Sequence, residues 1–311
     1  MKLGVVIVTY NRVNLLKECV DACLKQTYEF DSICVVNNNS TDGTKEYLNQ
    51  LNDPKINIID LKENLGGSYG FYEGIKFFEN KNLDYILLID DDAIISQDYN
   101  KNIVKYMNKN IKNLVGFSGS VTTDGKIQYG HRQFLPNKEK FIKIDSNSDN
   151  YIEDYFDYDI STFCGLYVNM DVVKKIGLPE KDFFIWFDDT EYSLRLNKYG
   201  KIRNVNSSIL NHKTCLSVNQ AYSWKSYYGL RNQIYILKKY FGRKELKKFI
   251  RNMKKKILLG KLAFKLKRDS YYIEISKLYQ KSLNDGMNGK LGKDNKYVPG
   301  FQISHNKINN H

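Results

Sequence analysis

The sequence predicts an α/β fold: a Rossmann-like, mostly parallel sheet flanked by helices, followed by a basic helical C-terminal region. Three observations predict it. Short, wholly apolar runs alternate with amphipathic helical segments from Leu3 to Asp90, polar residues cluster just after each apolar run, and positive charge concentrates late in the chain. Strands with no polar alternation are buried on both faces, as in a parallel sheet covered by crossover helices.

The elements follow in order. "LGVVIVTY" is a buried strand, and "NRVNLLKECVDACLKQ" carries Leu15, Leu16, Cys19, Val20, Cys23 and Leu24 at helical spacing. "SICVVNNNS" is a second strand. "STDGTKEYLNQL" is a helix with Ser40, Thr41 or Asp42 as N-cap. "INIIDL" is a third strand, "GSYGFYEGIKFFEN" a glycine-entered helix and "YILLID" a fourth strand. Further on, "NLVGFSGSVT", "KIQYGH" and "STFCGLYVNM" read as strands. "MDVVKKIG" and "TEYSLRLNKYG" read as helices ending at glycine. The expected division is residues 1–220 for the sheet domain and 221–311 for a helical region. The tail after Gly286 reads as loop.

Length and charge set bounds. The chain has 311 residues, 42% hydrophobic and 14% aromatic, enough for a sizeable core. Its formal net charge is +13, which suggests anionic partners. Between Lys238 and Arg268 there are fourteen Lys or Arg and one acid, interleaved with Ile250, Met253, Ile257, Leu258 and Leu262. That is the pattern of a basic amphipathic helix at a membrane surface; a solvated face is the plainer reading. The five cysteines (Cys19, Cys23, Cys34, Cys164 and Cys215) form no CxxC, which suggests a reducing, cytoplasmic setting. The N-terminus runs straight into a strand, so no signal peptide is expected. No apolar run approaches the ~20 residues of a membrane span.

Ligands of parallel sheets bind at the carboxyl ends of the strands. Tyr10-Asn11, Asn37-Asn38-Asn39, Asn64-Leu65-Gly66-Gly67 and Asp90-Asp91-Asp92 all fall there. The acidic trio interrupts an apolar stretch, so something must offset three adjacent negative charges. Asp90 and Asp92, being alternate residues, are expected to converge and suit a hard divalent cation, Mg²⁺ or Mn²⁺. In "ENLGGSYGFYEG" glycines let backbone approach a ligand at a helix N-terminus, although a tight turn also explains them. In "FFIWFDDTEYSLRL", Asp188, Asp189 and Glu191 crowd a helix start beside Phe183, Phe184, Trp186 and Phe187. Helix capping accounts for one or two such acids. An acid beside an aromatic wall that stacks on sugars also suits a general base. His212 in "ILNHKT" can complete a metal shell begun by carboxylates, with His131 as its rival.

In this order, "VVIVTYNR", "VVNNNSTDGT", "ENLGGSYGF", "LLIDDDA", "WFDDTEYSLR", "NH" and "YYGLRN" resemble the family 2 glycosyltransferases of GT-A fold, most closely the galactofuranosyltransferase and rhamnosyltransferase branch. The likeness runs from about Met1 to Asn232. It implies Asp90, Asp92 and His212 as ligands of Mn²⁺ or Mg²⁺ on a donor diphosphate. It implies Asp189 as catalytic base, with Trp186, Asp188 and Glu191 at the acceptor. Thr9, Tyr10, Asn11, Arg12, Asn37, Asn38, Asn64, Gly66, Gly67 and Asp91 would line the donor site, and Arg231 would pair with a phosphate. An Asp often stands where this chain has Asn37 or Asn38, which leaves uracil or thymine open.

The expected activity is inverting, metal-dependent sugar transfer from a nucleotide-sugar donor to a saccharide acceptor that is lipid-linked. UDP-galactofuranose leads, with dTDP-rhamnose as alternative. The expected place is cytoplasmic, peripheral on the inner face of the membrane, against anionic lipid. A nucleotidyltransferase would carry a lysine-bearing glycine loop after the first strand, where this chain has "TYNRVNLL". Nucleic-acid binding is not expected: the charge lies away from the carboxylates and no such motif occurs.

Overall fold

The structure, a computed structural model, describes residues 1–108, 113–213 and 222–304. These fall into two compact units, the first drawn from 1–136, 143–181 and 188–215, the second from 137–142, 182–187 and 216–311.

The first unit opens with the expected alternation: β1 (Leu3–Thr9), α1 (Val13–Leu24), β2 (Ser32–Asn37), α2 (Thr44–Gln50), β3 (Ile56–Asp60), α3 (Gly67–Phe78) and β4 (Tyr85–Asp90). It continues through β5 (Ala93–Ile95), α4 (Tyr99–Met107), β6 (Leu114–Thr123), β7 (Lys126–Ile127), β8 (Arg132–Phe134), β9 (Ile144–Asp145), β10 (Tyr155–Tyr158) and β11 (Ile160–Ser161). It closes with β12 (Leu166–Asn169), α5 (Met170–Ile176), α6 (Asp188–Leu196) and β13 (Lys201–His212).

The main sheet runs β10-β13-β6-β12-β4-β1-β2-β3, with β5 on β13 and β7 on β6. β3, β2, β1 and β4 form a parallel block. β12 enters antiparallel between β4 and β6. Alternate residues of β1 feed two cores: Val5 and Ile7 meet Leu16, Cys19 and Cys23 of α1, while Val6 and Val8 meet Phe71 and Ile75 of α3. Cys19 and Cys23 are core residues, and Cys215 lies outside the described residues. A Cβ at Gly74 would come within 2.2 Å of Val6, so this glycine allows α3 to lie close on β1. That, rather than approach to a ligand, is what Gly74 does.

Several expectations change in detail. α2 begins after Gly43 in the left-handed region (φ 88°), and Asp42 serves its first turn by accepting from Thr44 N at 3.2 Å. "KIQYGH" is a two-residue strand followed by a 3₁₀ turn over Tyr129–His131. "STFCGLYVNM" is broken at Gly165, whose φ of +87° a strand interior does not tolerate.

The second unit contains β14 (Tyr222–Ser223), α7 (Trp224–Ile236), a π turn over Leu237–Phe241, α8 (Gly242–Lys267), α9 (Ser270–Met287) and β15 (Gln302–Ile303). Its core gathers Phe184, Tyr227, Tyr228, Met253, Ile257 and Leu278, among others. The tail is therefore not all loop, since β15 pairs antiparallel with β14. On α8, Met253 and Ile257 are buried but Leu258 and Leu262 face outward, which splits the apolar set read from sequence into two faces. Among the described residues no helix is long and apolar enough to cross a membrane.

Candidate active site

The carboxyl ends of β1 and β4 lie side by side, and the acidic trio leaves β4 there. The strand ends at Asp90, so Asp91 and Asp92 lie in a turn and strand alternation no longer governs them. Asp91 is fully buried; Thr9 Oγ1 donates to its Oδ2 at 2.6 Å. Arg12 bridges the turn, with Nη2 2.5 Å from Asp91 Oδ1 and Nη1 2.5 Å from Asp92 Oδ2. Burial pushes Asp91 up to about 7 against the pull of Arg12 and Thr9. Burial also opposes ionisation of Asp92, but His212 and Arg12 outweigh it and its pKa falls.

Register brings His212 to the trio. β5 pairs with the end of β13 so that Ala93 faces His212, and Lys213 N donates to Asp92 O at 2.8 Å. His212 Nε2 then lies 3.3 Å from Asp92 Oδ1, while its Nδ1 is buried with no hydrogen-bond partner among the described residues. Burial lowers the His212 pKa, but the bond to Asp92 and the charges of Asp92 and Asp90 raise it on balance. His131 stands edge-on to His212, ring centroids 5.3 Å apart. Burial, with Arg132 and His212 next, pushes His131 down to about 3. The Asp92 carboxylate and the His212 imidazole, side by side where the strands end, could hold a divalent cation, with Asp90 next to them in sequence.

The polar loops expected at a donor are tied to one another. Asn37 Nδ2 donates to Asp60 Oδ1 at 2.8 Å, and Asn38 Nδ2 to Gly66 O at 2.9 Å. Asn64 Oδ1 accepts from Gly66 N at 2.9 Å, and Asn11 Oδ1 from Thr41 N at 2.7 Å. Both Asn37 and Asn38 are buried, so their amides shape the turn. Gly66 is left-handed (φ +87°), and a Cβ at Gly67 would meet open space. Asp60 escaped sequence reasoning. It ends β3 in register with Asn37, and an acid closing an apolar strand is the signal.

Asp188 and Asp189 open α6. Burial, then the neighbouring Asp189 charge, pushes Asp188 up to about 8. Burial also raises Asp189, against the pull of Lys143 and of Thr190, whose N and Oγ1 donate to its Oδ1 at 2.5 and 3.1 Å. A raised carboxylate pKa suits a general base. Lys143 gave no signal in the sequence, because it reaches Asp189 from a distant segment. Glu191 is buried and bound to Arg195, Nη2 to Oε2 2.8 Å, a pairing within α6 that sequence did not indicate.

The second unit changes the reading of two further features. Phe183 and Phe184 are core residues and Phe187 is half-buried, so Trp186 (46% exposed) offers the most open aromatic face of this set. Phe184, Trp186 and Phe187 all have left-handed φ (67°, 63° and 73°), a costly conformation for large side chains. The "RN" pair holds it. Asn232 Nδ2 lies 3.0, 3.1 and 2.9 Å from the carbonyls of Phe183, Ile185 and Trp186. Arg231 donates to Gly292 O at 2.6 Å and to Phe183 O at 3.0 Å. Arg231 is therefore not placed for a phosphate: it is buried, and carbonyls take up its guanidinium.

Residues 4–177 match the model of glycosyl transferase family 2. The chain belongs to that family. Glycosyltransferase GlyA of Streptococcus pneumoniae serotype 4 is 28% identical over 167 residues, 53% of this chain and 22% of that protein. Poly-beta-1,6-N-acetyl-D-glucosamine synthase of Staphylococcus aureus (strain MSSA476) is 30% identical over 90 residues, 29% of this chain and 21% of that protein. The chain thus spans about a fifth of the length of these two relatives. Two crystal structures share the fold. One is GalNAc-T7 with UDP, GalNAc and Mn²⁺ (TM-score 0.64, 15% identity, 93% of this chain and 56% of that one). The other is S. aureus TarS 1-349 with UDP-GlcNAc (TM-score 0.56, 16% identity, 93% and 81%). Family membership speaks against the nucleotidyltransferase alternative.

The Asp188 environment has a measurable consequence. Its pKa rises from 3.8 to about 8 on folding, so between those values the folded chain holds a proton that the unfolded chain has lost. Stability should therefore fall as pH rises through that window. Asp188→Asn removes this loss, so its stability relative to the parent should improve from pH 5 to pH 8. Urea midpoints at both pH values test it, and an offset that does not change with pH would contradict the buried, protonated Asp188.

Proposed function

We propose that this chain is an inverting glycosyltransferase that uses a divalent cation, Mn²⁺ or Mg²⁺, and a nucleotide-sugar donor. The meeting of Asp92 and His212 at the carboxyl ends of β1 and β4, in a family 2 fold, carries the proposal. Asp90, Asp92 and His212 would hold the cation, which when bound supplies Lewis acidity to a departing diphosphate. Thr9, Arg12 and the loops of Asn37, Asn38, Asn64, Gly66 and Gly67 would shape the nucleotide side, with Asp91 anchoring Thr9 and Arg12. Asp189 would take the proton of the acceptor hydroxyl, and its raised pKa supports that role. Trp186, three residues earlier in sequence, offers an exposed ring for the acceptor.

For the donor sugar we infer galactofuranose from UDP-galactofuranose, on the motifs "NLGGSYGF" and "WFDDTEYSLR", with rhamnose from dTDP-rhamnose next. The relatives' association with N-acetylglucosamine makes UDP-GlcNAc a necessary member of any donor panel. With Mn²⁺ and lipid-linked acceptor, UDP release from UDP-galactofuranose should exceed that from other donors, and EDTA should stop it. Release from dTDP-rhamnose alone would keep the mechanism and change the sugar; release unaffected by EDTA would refute the metal. Asp189→Asn should lower transfer by about 10²–10⁴-fold with donor binding retained, and near-parental turnover would overturn the base assignment.

A second reading concerns the lipid surface expected to carry the acceptor. Leu258, Leu259, Leu262 and Leu266 on α8 are 58%, 52%, 46% and 86% exposed. At 100° per residue they share the side opposite buried Met253 and Ile257. Toward the helix start the same side carries Lys244, Lys248, Arg251 and Lys255. An open groove of about 530 Å³ there is lined by Lys140, Lys244, Glu245, Lys247, Lys248 and Arg251. A leucine row with a basic collar suits an anionic bilayer, apolar groups entering and cations meeting headgroups. The chain should sediment with phosphatidylglycerol vesicles at low salt, less so in high salt and little with neutral vesicles. Full solubility at low salt would sink this reading.

A further inference from the structure

The sequence sets His131 and His212 against each other as rivals, yet the fold puts them together. We propose that His131 is a second imidazole ligand of the divalent cation, beside His212, Asp92 and Asp90, so that two of its donors are nitrogens. This rests on the metal reading of Asp92 and His212 given above.

Distance comes first. Donor atoms of His131, Cys164 and His212 lie within 4.8 Å of one another. Ligands about 2.0–2.2 Å from one ion are separated by at most about twice that, so a small closure brings both rings onto a single cation. His212 already reaches Asp92 at 3.3 Å. The proposal joins the two rings of this cluster to the carboxylates beside His212 and does not require the buried Cys164 thiol.

The support behind His131 is the second observation. Its Nδ1 lies 2.7 Å from Thr162 Oγ1. Thr162 N donates to His131 O at 3.2 Å, and Arg132 Nη1 donates to the same oxygen at 3.0 Å. Arg132 is fully buried and also holds Gly119 O and Cys164 O, at 2.8 and 3.1 Å. Ring and backbone are thus pinned together. An imidazole that gives its Nδ1–H to an outer partner keeps its Nε2 lone pair for a metal, the usual arrangement of metal-bound histidine.

Nitrogen donors favour Mn²⁺, Co²⁺ or Zn²⁺ over Mg²⁺, which prefers oxygen and water. The second imidazole would therefore tilt this site toward transition metals. A mere packing pair of rings would not.

Pulsed EPR of Mn²⁺ bound to the full chain counts directly coordinated nitrogen and needs no variant. Two coupled ¹⁴N nuclei are expected, falling to one in His131→Ala; a single coupled nitrogen in the parent chain would overturn the proposal. Calorimetry with Mn²⁺ alone should show at least about tenfold weaker binding in His131→Ala and in the bulkier His131→Gln, with Mg²⁺ affected less. Unchanged Mn²⁺ affinity in both would also overturn it. If His212→Ala abolishes Mn²⁺ binding and the His131 variants do not, this inference alone falls. If none of these variants changes it, the reading of the metal site falls as well.

Discussion

The site depends on one electrostatic arrangement: two adjacent carboxylates, Asp91 and Asp92, buried where β4 ends and bridged by Arg12 from the loop after β1. Buried carboxylates are tolerated only when charge and hydrogen bonds replace lost water. Arg12 supplies the charge and Thr9 a hydrogen bond, each from the end of the neighbouring parallel strand. β1 and β4 must therefore be adjacent for the trio to exist at all. The turn that carries the trio then starts β5, and β5 fixes the end of β13 with His212 on it. One strand adjacency thus sets the carboxylates, their counter-ion and the imidazole together.

A different constraint governs the aromatic segment in the second unit. Three large residues in left-handed backbone are strained, and buried carbonyls without partners would add to that strain. Arg231 and Asn232 answer with side-chain donors aimed at those carbonyls, and Gly229 leaves room for the ring of Trp186, which a Cβ would approach to 2.8 Å. The exposed indole is therefore presented by a rigid device. Its most telling residues are polar ones that contact no solvent.

Much of this was legible in the sequence. Apolar runs of strand length between helical periodicities specify a parallel block, because only burial on both faces suits them. The polar ends of those runs locate the site. The misreadings share a cause: residue type reports chemical capacity and not the partner that uses it. Arg231 looked like a phosphate ligand and is consumed by carbonyls. Phe183 and Phe184 looked like a stacking surface and are core.

The sequence by itself determined the α/β class, the strand ends at which chemistry gathers, the acidic trio and the Asp188–Asp189 pair, because periodicity and local charge are properties of neighbours along the chain. Tertiary structure alone decided that Arg12 neutralises the trio, that Asp60 holds Asn37, that Lys143 acts on Asp189, and that His131 and His212 stand together. Each of these pairs residues far apart in the chain. Their meeting is set by strand order and register, and no local pattern encodes it.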